Sequence, residues 1–391
     1  MFDLPYHGRM EAMIIQPRKT EAESTIRRIK APPMVRLSCE GIVVSFRSGD
    51  PVEAGDLLAR SPEDASRQRR LHSPLTGTVR VEDGRTIIVE GDWPTPLQTG
   101  KPCDPGQWEA DEILNRALES GLLGMGGGMF PTYLKLGSGK PIEHVIVNAC
   151  EGEPYLCCDH RVLAEHREEV ECGMRLAMRA TGATKGHIIS EEEDYLAGYE
   201  RFLIEATLGR NVPPGHSPLD VGVMVINVQT ARALHQAVCD NRPLTERVLT
   251  VAGDAMGQTG NFLAPLGTTV AHILEMCDHD AGRTERLIVG GPMMGHVAEA
   301  DSVVKAGMGG ILALSKKEAR PAVESACIRC ARCIDGCPVG LPVTELIQEP
   351  ASEAVLRCIE CGICQYVCPA GISLVPRLRA AKTSYRISHH P

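Results

Sequence analysis

Apolar positions change their rhythm three times along the chain, and each rhythm predicts a different architecture. Between residues 41 and 91 they alternate with polar ones in short runs such as TGTVRVE and RTIIVEG, interrupted by Gly49-Asp50, Gly55-Asp56 and Asp83-Gly84. A period of two with this punctuation predicts a small β-barrel or sandwich. From about residue 109 the period lengthens. EADEILNRALESGLLG reads as a helix, HVIVNA (144–149) as a buried strand, and HRVLAEHREEVECGMRLAMRATG as a helix with Val170, Met174, Ala177 and Met178 on one face. KGHIIS (185–190), YERFLIEATLG, DVGVMVIN (220–227) and TARALHQAV continue the alternation, which predicts a parallel sheet with helices on its faces. Between 246 and 298, RVLTVAG and RLIVGGPMMG enclose one helical run, TTVAHILEMCDH, a pattern suggesting a ubiquitin-like β-grasp module. ILALS and KKEARPAVESA then lead into a cysteine-rich segment with a basic tail, VPRLRAAKTSYRISHHP, read as a solvated end.

Composition narrows the function classes. With 391 residues, 43% of them hydrophobic and 23% charged, the chain has material for several packed domains, so disorder and fibrous structure are excluded. A net charge of −9 gives no basic face, and nucleic acid is not an expected partner. No run approaches the ~18–20 uncharged apolar residues of a membrane span. The start, MFDLPYHGRMEAMIIQPRK, lacks the apolar stretch of a signal peptide, so the expected location is the cytoplasm. Sixteen cysteines in such a chain call for metal or redox chemistry in place of disulfides.

Eight of them form two copies of C-x2-C-x2-C-x3-C-P: Cys327, Cys330, Cys333 and Cys337 in CIRCARCIDGCP, and Cys358, Cys361, Cys364 and Cys368 in CIECGICQYVCP. This is the spacing of two-cluster bacterial ferredoxins, in which three thiolates on a curved loop reach one cubane and the fourth, before the proline, reaches the other. The expected ligand sets are therefore crossed. Cys327, Cys330, Cys333 and Cys368 hold one 4Fe-4S cluster; Cys358, Cys361, Cys364 and Cys337 hold the second. Structural zinc is the weaker reading, because it needs four ligands in tetrahedral closure and has no use for a third cysteine at the same spacing. The scattered cysteines (Cys39, Cys103, Cys150, Cys157, Cys158, Cys172, Cys239 and Cys277) show no ligand spacing apart from the vicinal Cys157-Cys158 and read as packing residues.

A second candidate site is glycine-rich. In GLLGMGGGMFPTYLKL (121–136), Gly124, Gly126, Gly127 and Gly128 permit positive φ and close backbone approach, so that successive N–H groups can cup a phosphate or a flat ring. Met129 occupies the third glycine position of a dinucleotide fingerprint, and no P-loop occurs. Lys135 follows the glycines. VNACEGEPY places Asn148, Glu151 and Glu153 just past a parallel strand, and Asn227-Val228-Gln229-Thr230 takes the same place after another. Strand carboxyl ends are where open α/β sheets bind ligands.

Taken in order, GLLGMGGGMFPTYLKL, VNACEGEPY, INVQT, the segment ending GGPMMG and the double cysteine motif resemble the RnfC subunit of the Rnf ion-pumping ferredoxin:NAD oxidoreductase family. They are also similar to the PduS cobalamin reductases and to the flavin-bearing NADH-oxidising subunit of respiratory complex I. GDPVEAGDLLA and SPLTGTV look like a biotinyl or lipoyl carrier domain, yet no lysine lies between Gly41 and Gly91 to carry a prosthetic group. The resemblance implies a multidomain α/β and α+β chain. Its parts are a lipoyl-like β-barrel (1–95), an FMN- and NAD-binding parallel-sheet α/β domain (96–245), a β-grasp module of SLBB type (246–298), and a linker with a ferredoxin-like dicluster helical domain (299–391). It implies FMN held by Gly124, Gly126, Gly127, Lys135, Asn148 and Asn227, with Glu151 beside them and Phe130 and Glu153 towards NAD(H). It also implies a ferredoxin or other redox protein as partner, and membrane-embedded subunits that would place the chain on the cytoplasmic face of the inner membrane. A flavin is required on chemical grounds, because a hydride carries two electrons and each cluster takes one. Two further readings keep the same domains: a soluble flavin and iron-sulfur reductase of a corrinoid enzyme, and an iron-sulfur relay with an empty flavin domain. Two stretches depart from the relatives, both expected on the nucleotide side. Met129 stands in a usual Gly-Ala-Gly-Phe-Pro, and EEEDYLAGYERF lacks the Tyr-Pro-Gln-Gly that many relatives carry there.

Overall fold

The computed structural model describes residue 19 and residues 24–95, 104–191, 194–299, 301–319, 323–348 and 352–389. After β1 (Arg27–Arg28), the alternating segment folds as β2 (Met34–Ser38), β3 (Val43–Val44), β4 (Pro51–Val52), β5 (Leu57–Arg60), β6 (Arg70–His72), β7 (Thr76–Glu82) and β8 (Thr86–Asp92). These make one sheet in the order β2-β8-β7-β4 and another in the order β3-β5-β6. Inward positions of the two sheets share a core of Val35, Leu37, Leu58, Leu75, Val79, Ile87 and Val89. Asp83 and Gly84, with φ of 53° and 62°, turn the β7–β8 hairpin as an Asp-Gly pair should.

The central region runs α1 (Ala110–Glu119), α2 (Thr132–Leu136), β9 (His144–Asn148), α3 (Cys158–Glu165), α4 (Arg167–Thr181), β10 (Lys185–Ile189), α5 (Glu200–Leu208), β11 (Val223–Asn227) and α6 (Val228–Cys239). Its three strands are parallel in the order β10-β9-β11. Val145 and Val147 face the helix layer of α1, α4 and α6, while Ile146, Val223 and Val225 face Leu203 and Ile204 of α5. Both faces of the sheet are covered, which explains the uninterrupted apolar runs. The single helix expected over residues 160–182 is two, because His166 leaves the helical region (φ −130°, ψ 34°) between α3 and α4. Where α4 crosses α6, a Cβ on Gly173 would lie 1.8 Å from the Ala231 carbonyl oxygen, so only glycine lets these helices approach.

Beyond them, β12 (Glu246–Ala252), β13 (Gly260–Pro265), α7 (Val270–Met276), β14 (Thr284–Val289), β15 (His296–Val297) and β16 (Gly310–Ser315) complete a six-stranded sheet in the order β1-β13-β12-β16-β14-β15. This sheet takes in Arg27–Arg28 and Gly310–Ser315 besides the strands expected within 246–298. The cysteine-rich end carries the short helices α8 (Arg332–Asp335), α9 (Val343–Leu346) and α10 (Ile363–Tyr366), then the longer α11 (Leu374–His389). Leu341, Val343, Leu346, Val355, Leu374 and Leu378 form its core with Cys337 and Cys364. Among the described residues no helix is long and apolar enough to cross a membrane.

Candidate functional site

Strands β9 and β11 end side by side, with Asn148 and Asn227 in register. Each asparagine caps its own exit turn. Asn148 Oδ1 accepts from the Cys150 amide at 2.9 Å, and Asn227 Oδ1 accepts from the Gln229 amide at 2.9 Å, which starts α6. Asn148 Nδ2 donates to the Gly198 carbonyl at 2.8 Å, tying the segment before α5 to the same strand end. The glycine loop passes close by. A Cβ on Gly126 would sit 3.2 Å from the Asn227 Cβ, whereas Gly127 (φ 102°) and Gly128 have no atom within 4 Å of that position. Bare backbone therefore faces open space beside the two asparagines. Thr132 Oγ1, at the start of α2, is buried with no hydrogen-bond partner among the described residues. An open glycine backbone and an orphaned buried hydroxyl suit a bound planar or phosphorylated molecule.

Lys135 does not point freely into this crevice. Its ammonium donates to the Val225 carbonyl at 2.5 Å and pairs with Glu200 at 3.2 Å. Phe130 is 43% exposed, with the Arg67 guanidinium 5.5 Å from its ring centroid, and its carbonyl accepts from the Gly124 amide at 2.9 Å. Met129 adopts a left-handed φ of 47°, and a Cβ on Gly307 would lie 2.9 Å from its Cγ. The long side chain thus leans on the turn after residue 304, which also approaches the Gly127 carbonyl.

Both glutamates direct their oxygens into the protein. Glu151 accepts from the Asp159 and His160 amides at 2.9 and 3.1 Å, which holds the start of α3, and from the Cys158 thiol at 3.2 Å. Burial, then the Asp159 carboxylate, raises its pKa. Asp159 in turn accepts from Gln229 Nε2 at 2.7 Å and from Asn227 Nδ2. Glu153 accepts from the amides of Met293 and Met294 at 3.0 and 2.9 Å. Burial pushes its pKa up to about 7 against the pull of those two bonds. A Cβ on Gly291 would fall 2.1 Å from this carboxyl, so the second glycine of GGPMMG is what admits it. Glu153 is a strut between the α/β region and the β14–β15 turn, not an open side chain of the crevice.

The eight motif cysteines gather into the two crossed groups. Burial and then Cys368, Cys330 and Cys327 raise the Cys333 thiol. Burial pushes the Cys361 thiol up to about 12 with help from Cys337 and Cys358, and does the same for Cys364, which also feels Cys361. None of the eight is in a disulfide. Four thiols per group suit a cubane of four irons. Of the scattered cysteines, Cys39, Cys157, Cys158, Cys172 and Cys277 are buried, and Cys103 lies outside the described residues.

Three residues of this region escaped the sequence reading. Tyr195 Oη donates to the Cys361 carbonyl at 2.5 Å, Gly362 (φ 80°) lies against the Met293 carbonyl, and Met293 is buried with Tyr195, Leu196, Phe202 and Ile363 in one cluster. The segment 195–199, expected on the nucleotide side, thus has its apolar side chains on the cysteine-rich end. Its signal in the sequence was the Tyr-Leu-Ala-Gly that stands before α5.

Residues 117–195 match the family model of the Nuo51 FMN-binding domain, and residues 322–369 that of the 4Fe-4S dicluster domain. The C subunit of the Na(+)-translocating ferredoxin:NAD(+) oxidoreductase complex of Acetobacterium woodii is 34% identical over 384 residues, covering 86% of either chain. Its proton-translocating counterpart from Clostridium ljungdahlii is 32% identical over 334 residues, 75% of this chain and 72% of its own. The equivalent subunit of the ion-translocating oxidoreductase complex of Rhodobacter capsulatus is 30% identical over 371 residues, 83% and 71%.

Proposed function

Because the chain belongs to the RnfC family of ion-translocating ferredoxin:NAD(+) oxidoreductase complexes, we propose that it moves electrons between NAD(H) and a ferredoxin-type carrier through FMN and two 4Fe-4S clusters. The observation that carries the reading is the joint presence of an open glycine loop beside Asn148 and Asn227 and two groups of four free thiols in one chain. FMN held at these strand ends would supply the exchange between a hydride's two electrons and single electrons.

The chain's own residues have distinct tasks in this reading. Gly126 and Gly127 offer backbone to the cofactor, and Gly124 closes the loop through its bonds with Phe130 and Met129. Asn148 and Asn227 fix the strand ends on which it rests, and Lys135, held by the Val225 carbonyl and Glu200, braces β11 beneath them. Glu151 shapes the α3 turn behind Asn227 through Asp159, and Glu153 fixes the neighbouring turn. Phe130, half exposed at the rim, is the surface against which a nicotinamide nucleotide stacks. Cys327, Cys330, Cys333 and Cys368 hold one cluster and Cys358, Cys361, Cys364 and Cys337 the other. The chain works against membrane-embedded partner subunits as a peripheral component. Chain purified without oxygen should release one FMN on denaturation and contain about eight irons and eight sulfides. Iron at that level with no flavin would reject the flavin step.

A further inference from the structure

The two cysteine groups share a spacing but not an environment. Cys337, Cys361 and Cys364 are buried, whereas Cys327 and Cys330 are exposed together with every residue over 323–332. Two independent contacts turn the buried group inward. The first is the Tyr195 hydroxyl on the Cys361 carbonyl. A carbonyl oxygen only accepts, so the Tyr195 proton is committed to it, and the 2.9 Å contact between the two phenols is donated by Tyr199. Three residues after Tyr195, the Gly198 carbonyl is held by Asn148 at the crevice. The second contact is Gly362, where a Cβ would meet the Met293 carbonyl oxygen at 2.4 Å; the Met293 amide is itself held by Glu153. Both threads run from the end of β9 to the same cysteine loop.

Resting on the cofactors proposed above, we propose that the two cysteine groups stand in series in the reverse of their order in the chain. Cys358, Cys361, Cys364 and Cys337 form the inner station, fixed to the flavin-binding domain by Tyr195 as a positioning residue. Cys327, Cys330, Cys333 and Cys368 form the outer station, where an external one-electron iron-sulfur carrier is met. Each passage between stations moves one electron, so one centre is oxidised by one unit as the other is reduced by one, with no bond or proton changed. Tyr195 touches the backbone of a ligand and not its sulfur. Its donated hydrogen places a positive dipole beside the inner centre, which favours the reduced, more negative state.

The test uses the full chain loaded with iron and sulfide under argon, reduced stepwise and read by electron paramagnetic resonance. A soluble lanthanide chelate is added to relax whichever centre lies near the surface. Cys330→Ser and Cys361→Ser identify which signal belongs to which group. The chelate should broaden the signal altered by Cys330→Ser several-fold more than the other, and Tyr195→Phe should lower the midpoint potential of the signal altered by Cys361→Ser alone. Equal broadening, broadening of the Cys361-marked signal, or a Tyr195→Phe variant that moves the outer signal or neither would overturn the order. If the serine variants lose both clusters, the wild-type chain still decides: one signal must broaden, and Tyr195→Phe must shift the one that does not. None of these readings needs flavin, so a chain without FMN would defeat the function proposed above while the same spectra still decide the order.

Discussion

The two cysteine motifs are the same loop in two settings. Arg329 and Glu360 occupy the same position in each and share a left-handed φ, 56° and 57°; Ala331 and Gly362 likewise share φ of 58° and 80° before their short helices. Spacing and proline placement impose this backbone, whatever surrounds it. The surroundings then decide which side chains are tolerated. At the exposed loop an alanine survives the left-handed turn, because its Cβ meets solvent. At the buried loop the Met293 carbonyl occupies the space a Cβ would need, and glycine is required. The glycine therefore reports docking and not cluster geometry.

This difference is open to attack at several strengths. Gly362→Ala should cost about 3 kcal/mol of stability in denaturant unfolding, combining overpacking with a residue in a left-handed backbone. Ala331→Gly should change stability by less than about 1 kcal/mol, and in the favourable direction. Equal losses from the two substitutions would mean that the loops have equivalent surroundings.

Glu153 gives the buried loop a pH dependence that the exposed loop lacks. Its carboxyl has an ordinary value of 4.5 and is raised to about 7 in the folded chain, so the fold favours the protonated form. Stability from this group is full below pH 4.5 and is lost as pH rises towards 7, with a slope approaching ~1.4 kcal/mol per pH unit. Glu153→Gln should flatten that part of the stability curve measured between pH 5 and pH 7.5; an unchanged slope would show that the strut does not titrate. The smallest effect belongs to the surface. Glu360 pairs with Arg379 and Lys382 at 2.7 and 2.8 Å, while its counterpart Arg329 makes no ion pair among the described residues. Glu360→Gln should lower stability by about 0.5 kcal/mol and Arg329→Gln should leave it unchanged, both by thermal unfolding.

Local signals carried much of this structure. Uninterrupted apolar runs located β9 and β11, the Asp83-Gly84 pair located a hairpin, and thiol spacing located both cysteine groups, because each property is decided within a few residues. The break at His166 was invisible, since the apolar face continues across it and only the backbone turns. The setting of Glu153 was equally hidden. Its partners are backbone amides some 140 positions away, and any sequence offers such amides. Tyr195 escaped because its partner is a carbonyl, which no residue type announces. What a pattern of residues does not encode is which surface of a local motif a distant segment will cover.

In the function proposed above, one chain joins two-electron and one-electron chemistry. Anaerobic titration of the FMN- and iron-loaded chain with NADH, followed at the flavin and iron-sulfur absorption bands, tests it directly. The prediction is loss of flavin absorbance accompanied by bleaching of the clusters as reducing equivalents are added. Clusters that dithionite reduces but NADH leaves oxidised, beside a flavin that NADH does not bleach, would contradict it.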